Sequence, residues 1–181
     1  VRTNKTDGAD ARAIWEAASR PEVKWVTVKS EASQAVLTLH RIRRQLMDMR
    51  RMQSNQLKAL LYEFGVVVAA SAKITAVQLE DWLFEGRVPE LLRGSLSGQI
   101  ERIARLKREE LDLTRTIERH NATDVLAIRL MGVPGIGTLT ASALSAELAA
   151  GAKSYANGRQ FAACKGIVPR LSGTGGKVRT G

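Results

Sequence analysis

Residues 30–64 read SEASQAVLTLHRIRRQLMDMRRMQSNQLKALLYEF, thirty-five residues without one proline or glycine. The apolar residues Val36, Leu39, Ile42, Leu46, Met49, Leu57, Leu60 and Phe64 recur at spacings near three and four, which is the period of a helix. Ser30, with Gln34 nearby, suits the start of that helix, and Gly65 suits its end. At a rise of 1.5 Å per residue the helix is about 50 Å long, too long for a compact small domain. Arg43, Arg44, Arg50 and Arg51 interrupt the stripe and make one face strongly basic.

Working outward, a linker follows with a short helix near Ala76 to Phe84 and a break from Gly86 to Pro89. A second long helix runs from about Pro89 to His120. Leu92, Leu96, Ile100, Ile103, Leu106, Leu113 and Ile117 form its seam, with Glu101, Arg105, Lys107, Glu109 and Glu110 around it. Two long helices and a linker predict an antiparallel helical hairpin or coiled coil, as fitting for a spacer or dimerisation arm as for a catalytic part. Towards the amino terminus, a polar turn at 3–8 leads into an Ala-rich helix over about Ala9 to Ala18, with Pro21 at its exit. Trp25-Val26-Thr27-Val28 reads as a short strand or extended link.

The chain carries 28 Lys and Arg against 18 Asp and Glu, a net charge of +10 over 181 residues. So basic a balance favours polyanionic partners, nucleic acid above all, although a solvated basic surface has the same composition. Cys164 stands alone, so neither an internal disulfide nor a cysteine-built zinc site is available, and a reducing cytoplasm is the expected setting. No signal peptide and no apolar run long enough for a bilayer is visible, so no membrane partner is expected. The chain opens on Val1 and stops in a Gly-rich basic segment, which reads as a piece cut at both ends.

Three stretches carry chemistry. Leu130-Met131-Gly132-Val133-Pro134-Gly135-Ile136-Gly137, followed by Thr138 to Leu144, predicts a helix-hairpin-helix. Gly135 and Gly137 permit turn geometry closed to other residues, and the amides at Thr138 open a helix whose dipole favours a phosphate. Such a unit grips a DNA or RNA backbone without reading sequence; an ordinary turn between core helices has the same spacing. Asp7-Gly8-Ala9-Asp10 sets two carboxylates one turn apart on one helix face, where hard oxygens suit a divalent metal, though Asp at a helix start is more often a cap. Gly166 to Arg179 places Ser172 in a Gly-rich loop with Arg170, Lys177 and Arg179. A serine there can attack a phosphodiester with cations beside the developing charge; a flexible basic loop that only touches phosphate fits the same spacing.

Other sites fall away. Neither glycine cluster has the Gly-x4-Gly-Lys-Ser/Thr spacing of a phosphate-loop nucleotidase. Cys164 reads as a small core residue, with neither His40 nor His120 near it in sequence. Trp15, Trp25 and Trp82 fall on separate elements and read as packing anchors.

Five stretches together resemble one family. These are Lys5-Thr6-Asp7-Gly8-Ala9-Asp10-Ala11, Leu130 to Gly137, Asn157-Gly158-Arg159-Gln160-Phe161-Ala162-Ala163, Gly166-Ile167-Val168-Pro169-Arg170 and the loop from Ser172 to Lys177. In that order they are similar to motifs of the bacterial DEDD transposases of the insertion sequences called IS-one-ten and IS-eleven-eleven. The resemblance implies an RNase H-like domain with an acid set, a coiled-coil insertion, and a C-terminal transposase domain. It also implies strand cleavage and exchange through a serine, Mg²⁺ held by the acids, a structured guide RNA and assembly into a homo-oligomer. By position, Asp7 and Asp10 are the last two acids and Ser172 the nucleophile. Family loops run Ser-Ser-Gly-Gly or Ser-Thr-Gly-Gly, whereas Ser-Gly-Thr-Gly-Gly stands here, leaving Thr174 as a competing alignment. Cys164-Lys165 also stands where the family has Trp and a small or apolar residue, a difference that touches packing.

The sequence thus predicts a mainly α chain in three parts. Residues 1–29 are the remnant of an RNase H-like domain, 30–120 the helical hairpin, and 121–181 a C-terminal domain with the helix-hairpin-helix. The expected function is DNA binding, strand cleavage and exchange during transposition by a longer enzyme, this piece alone being inactive because half of its acid set is absent. A non-catalytic nucleic-acid-binding helical protein is the alternative, and a structural coiled-coil adaptor a third reading. Steep loss of binding with salt distinguishes phosphate contact from apolar helix pairing.

Overall fold

A computed structural model of the chain describes residues 6–23, 27–151, 155–167, 171–174 and 177–180, the last two segments and Ala150 by backbone alone. In chain order its elements are α1 (Asp7–Ala18), α2 (Glu31–Tyr62), α3 (Ala76–Phe84), a 3₁₀ turn (Glu90–Leu92), α4 (Arg93–Asn121), α5 (Val125–Met131), α6 (Thr138–Gly151), α7 (Gly158–Cys164), β1 (Leu171–Thr174) and β2 (Lys177–Thr180). The chain is mainly α. It divides into two compact units, one of Ser30–Ala149 and one gathering Val1–Lys29 with Ala150–Gly181.

In the larger unit α2 starts where Ser30 caps it, its side chain accepting from the Ser33 amide at 3.2 Å. It stops at Gly65, whose φ of 74° reverses the backbone as side-chain-bearing residues rarely can. The Gly65 and Val66 amides then donate back to Tyr62 and Leu61, and Val66 turns into the core at 1 % exposure. The Thr75 side chain and Gln78 cap α3 reciprocally.

Helices α2 and α4 lie antiparallel. Arg43, early in α2, meets Thr114, late in α4, while Leu57 and Leu61 join Leu96 in one cluster. That cluster also holds Val66, Leu79, Leu83 and Val88, with the half-buried Trp82 against it. Burying each such side chain stabilises the fold by roughly 1.5–3 kcal/mol. Near the start of α2, a much smaller cluster joins Val36 and Leu37 to Ala146 of α6.

The buried face of α2 differs from the stripe expected from apolar spacing. Ser33, Val36, Leu37, Leu57 and Leu61 are buried, whereas Ile42, Met49 and Phe64 are exposed. Between the two apolar ends Arg43 and Arg50 face α4, because a buried Glu110 there accepts their charge. Arg44 and Arg51 face outward instead and pair with Asp48. The four arginines therefore do not form a single basic face.

In the smaller unit Thr6 caps α1, its hydroxyl accepting from the Ala9 amide at 3.3 Å. Helix α1 begins two residues before the expected Ala9, because Thr6 is the better cap. Trp15 is 69 % exposed, so within the described residues it anchors no core. Cys164 is exposed as well, at the end of α7 and 3.7 Å from the Tyr155 hydroxyl, and is not a core residue. Seven-residue α7 offers no apolar layer to cover it; Phe161 stacks edge-on against Tyr155 instead. Of the expected link at 25–28, Trp25 and Val26 lie outside the described residues and Thr27-Val28 is in no strand. The segment expected as a Gly-rich loop is a two-stranded antiparallel hairpin over 171–174 and 177–180.

Candidate nucleic-acid interface and active-site residues

Asp124 organises the helix-turn-helix of α5 and α6. Its Oδ1 accepts from the Leu126 and Ala127 amides at 3.0 and 3.1 Å, capping α5. Its Oδ2 accepts from the Ser145 hydroxyl of α6 at 2.6 Å. Burial opposes ionisation of this carboxyl, but the Ser145 and amide hydrogen bonds, with His120 nearby, hold its pKa below the ordinary value. Asn121, 1 % exposed at the end of α4, places its Nδ2 3.5 Å from the Thr138 carbonyl and 3.6 Å from Met131 Sδ. Ser142, also buried, lies 3.2 Å from His40 Nε2 on α2. Burial, and then the charge of Arg43, lowers the His40 pKa, so the neutral imidazole is favoured there.

These contacts hold the turn 132–137. Gly135 sits at φ 90°, which a β-branched residue could adopt only under strain. A Cβ on Gly132 would lie 3.2 Å from the Arg129 carbonyl. The Ile136 amide donates to the Val133 carbonyl at 3.1 Å, and the Ala141 amide to Gly137 at 2.9 Å, opening α6. Gly135 and Gly137 are exposed and Thr138 half-buried. The first amides of any helix lack intrahelical acceptors, and the first turn of α6 carries no acidic side chain. The turn can therefore receive an anion such as a phosphate.

Asp7 and Asp10 occupy the exposed first turn of α1, one turn apart on one face as the spacing predicts. Two hard carboxylates suit Mg²⁺, which keeps several waters and often takes only one or two protein ligands. Among the described residues no group of three or more His, Cys, Asp or Glu could hold a metal ion.

In the β-hairpin Ser172 pairs in register with Arg179, and Thr174 with Lys177. Residues directly opposite, and residues two apart on one strand, share a face of the ladder. Both nucleophile candidates and two of the three expected phosphate-binding cations thus occupy positions on one face. Arg170 lies outside the described residues.

Asp124, Asn121, His40, Ser142 and Ser145 were not anticipated from sequence. Asp124 before an apolar run was a readable cap signal; the link from His40 to Ser142 spans 102 residues and left none.

Two family models match the chain: one described as the transposase IS116/IS110/IS902 family over residues 127–181, and a DEDD transposase model of the IS110 type over residues 1–65. The chain belongs to this transposase family. A transposase for insertion sequence element IS1328 from Yersinia enterocolitica is 40 % identical, covering 98 % of this chain and 52 % of its own length. A probable family 20 transposase from Pseudomonas aeruginosa is 37 % identical, over 100 % of this chain and 54 % of the relative. A transposase for insertion sequence element IS1111A from Coxiella burnetii is 30 % identical, over 98 % and 49 %. The family member described here thus spans about half the length of these curated relatives. No solved structure matches it. Among its described residues, no helix is long and apolar enough to cross a membrane.

Proposed function

We propose that this chain serves a bacterial DNA transposase that binds, cleaves and exchanges DNA strands while moving an insertion sequence. The observation that carries this reading is the alignment of essentially the whole chain with transposases. In this reading 1–29 belongs to an RNase H-like domain, 30–120 to a coiled-coil arm, and 121–181 to the C-terminal transposase domain. The turn from Met131 to Thr138 acts as a helix-hairpin-helix, its Gly135, Gly137 and Thr138 amides meeting the DNA backbone. The Ser172 hydroxyl attacks a DNA phosphodiester: its Oγ gives up its proton and bonds to phosphorus, the bond from phosphorus to one sugar oxygen breaks, and that oxygen takes up a proton, so none is gained or lost overall. Arg170, Lys177 and Arg179 bind the phosphate and offset charge developing on it. Asp7 and Asp10, completed by acids elsewhere in the enzyme, would hold Mg²⁺. That ion supplies Lewis-acid stabilisation of phosphoryl oxygens when bound. A structured guide RNA and further copies of the enzyme are its expected partners, in the cytoplasm.

Strand exchange by a full-length enzyme carrying this segment, with its element ends and RNA, tests the proposal. Ser172→Ala is expected to abolish both covalent DNA attachment and product, while Thr174→Val retains them. Full activity in Ser172→Ala would overturn the serine assignment, in favour of Thr174 if Thr174→Val fails.

A further inference from the structure

Glu110 is only 5 % exposed, midway along the α2–α4 seam, and three cations surround its carboxylate. Arg50 Nε donates to Oε2 at 2.9 Å. Lys107 Nζ lies 3.5 Å and Arg43 Nη2 3.8 Å from Oε1. Arg43 Nε also donates to Thr114 Oγ1 at 2.8 Å, and the Thr114 hydroxyl donates to the Glu110 carbonyl.

Arg43 and Arg50 stand seven residues apart, so both occupy one face of α2. The same seven-residue series runs Val36, Arg43, Arg50, Leu57 on α2 and Leu96, Ile103, Glu110, Ile117 on α4. Apolar residues at such positions are nearly interchangeable, so the outer positions alone would tolerate a slide of α2 along α4. A slide of seven residues carries one arginine away from the only buried carboxylate of the seam and sets it against isoleucine. Two α2 helices paired in parallel would oppose Arg43 and Arg50 to their own copies, and two α4 helices would oppose Glu110 to Glu110. The slide and the α2 pairing leave arginine charge partly buried without its counterion, and the α4 pairing brings two carboxylates together with only the half-exposed Lys107 beside each, penalties far larger than the loss of an exposed ion pair.

We propose that Glu110 is the register and partner selector of the helical pair: it commits α2 to α4, antiparallel and in one alignment, and disfavours self-pairing of either helix. The device works as a polar residue does at a core position of a coiled coil, trading stability for uniqueness. It is independent of the strand-exchange chemistry.

The test uses the whole 181-residue chain. Glu110→Leu leaves two arginines without their anion, and its unfolding equilibrium is expected to shift towards the unfolded chain by on the order of a hundredfold or more. Replacing Arg43, Arg50 and Glu110 all by Leu restores or exceeds the parent's denaturation midpoint. That triple variant nevertheless sediments as a mixture of species or shows more than one set of amide resonances. A triple variant with the parent's stoichiometry and one set of resonances would overturn the proposal. So would a triple variant that fails to fold, because the cluster would then supply stability rather than selection.

Discussion

The two ends of the larger unit are built by different physics. Where α2 meets α3 and the start of α4, Leu57, Leu61, Val66, Leu79, Leu83, Val88 and Leu96 bury large apolar side chains against one another. Where α2 meets α6, the apolar cluster shrinks to Val36, Leu37 and Ala146, and His40, Asn121, Asp124, Ser142 and Ser145 make hydrogen bonds instead. Helix α6 reads TLTASALSAELAAG, so it has little apolar area to offer and close-packed small residues to offer it with. The difference teaches how each end can fail. Area burial is non-directional and absorbs small shifts, whereas a hydrogen-bonded end is right in one orientation only. That is the end carrying the turn proposed to meet DNA.

The sharpest way to break the contrast is at the apolar end. Leu61→Ala is expected to cost about 3 kcal/mol by removing a side chain that is 1 % exposed and leaving a cavity. Chemical denaturation followed by circular dichroism measures it, and a cost below about 1 kcal/mol would mean that this end collapses freely around the loss.

At the polar end, Asp124→Ala is expected to cost about 1 kcal/mol, the usual worth of a lost N-cap. The carboxyl of Asp124 titrates below its ordinary value of 3.8 in the folded chain, so its contribution is complete above that value. It is lost as pH falls through the lower, folded value. The difference in stability between parent and variant should therefore be flat at neutral pH and shrink in strong acid.

The smallest effect belongs to His40. Its folded pKa lies below the ordinary 6.5, so the unfolded chain binds the proton more readily. The parent's stability is then full above 6.5 and declines as pH falls below it, while His40→Gln should flatten that slope. A slope unchanged by the substitution would place the titration elsewhere.

Much of the helical unit was legible because its signals are local. A run free of proline and glycine, bounded by Ser30 and Gly65, needed only helix propensity and end chemistry, and α3 falls on Ala76–Phe84 as its spacing predicts. The inward face of α2 was not legible from α2 alone. Arg43 looks no different from Arg44 in sequence; what separates them is a carboxylate 67 residues away. The candidate site divides in the same manner. The acids of α1 and the glycines of the turn could be named from spacing, whereas the five polar residues holding α5 and α6 come from α2, α4, the α4–α5 connection and α6 itself.

The sequence by itself determined the helical class, the ends of α2 and α3, the basic balance and the transposase motifs, because each is written in neighbours within a turn or two of chain. Only the tertiary structure decided which arginines turn inward, that Glu110 receives them, and that Ser142 and Ser145 fasten α6 to His40 and Asp124. Those choices depend on which distant group can satisfy a polar atom once water is removed, and the requirement appears only when the elements pack.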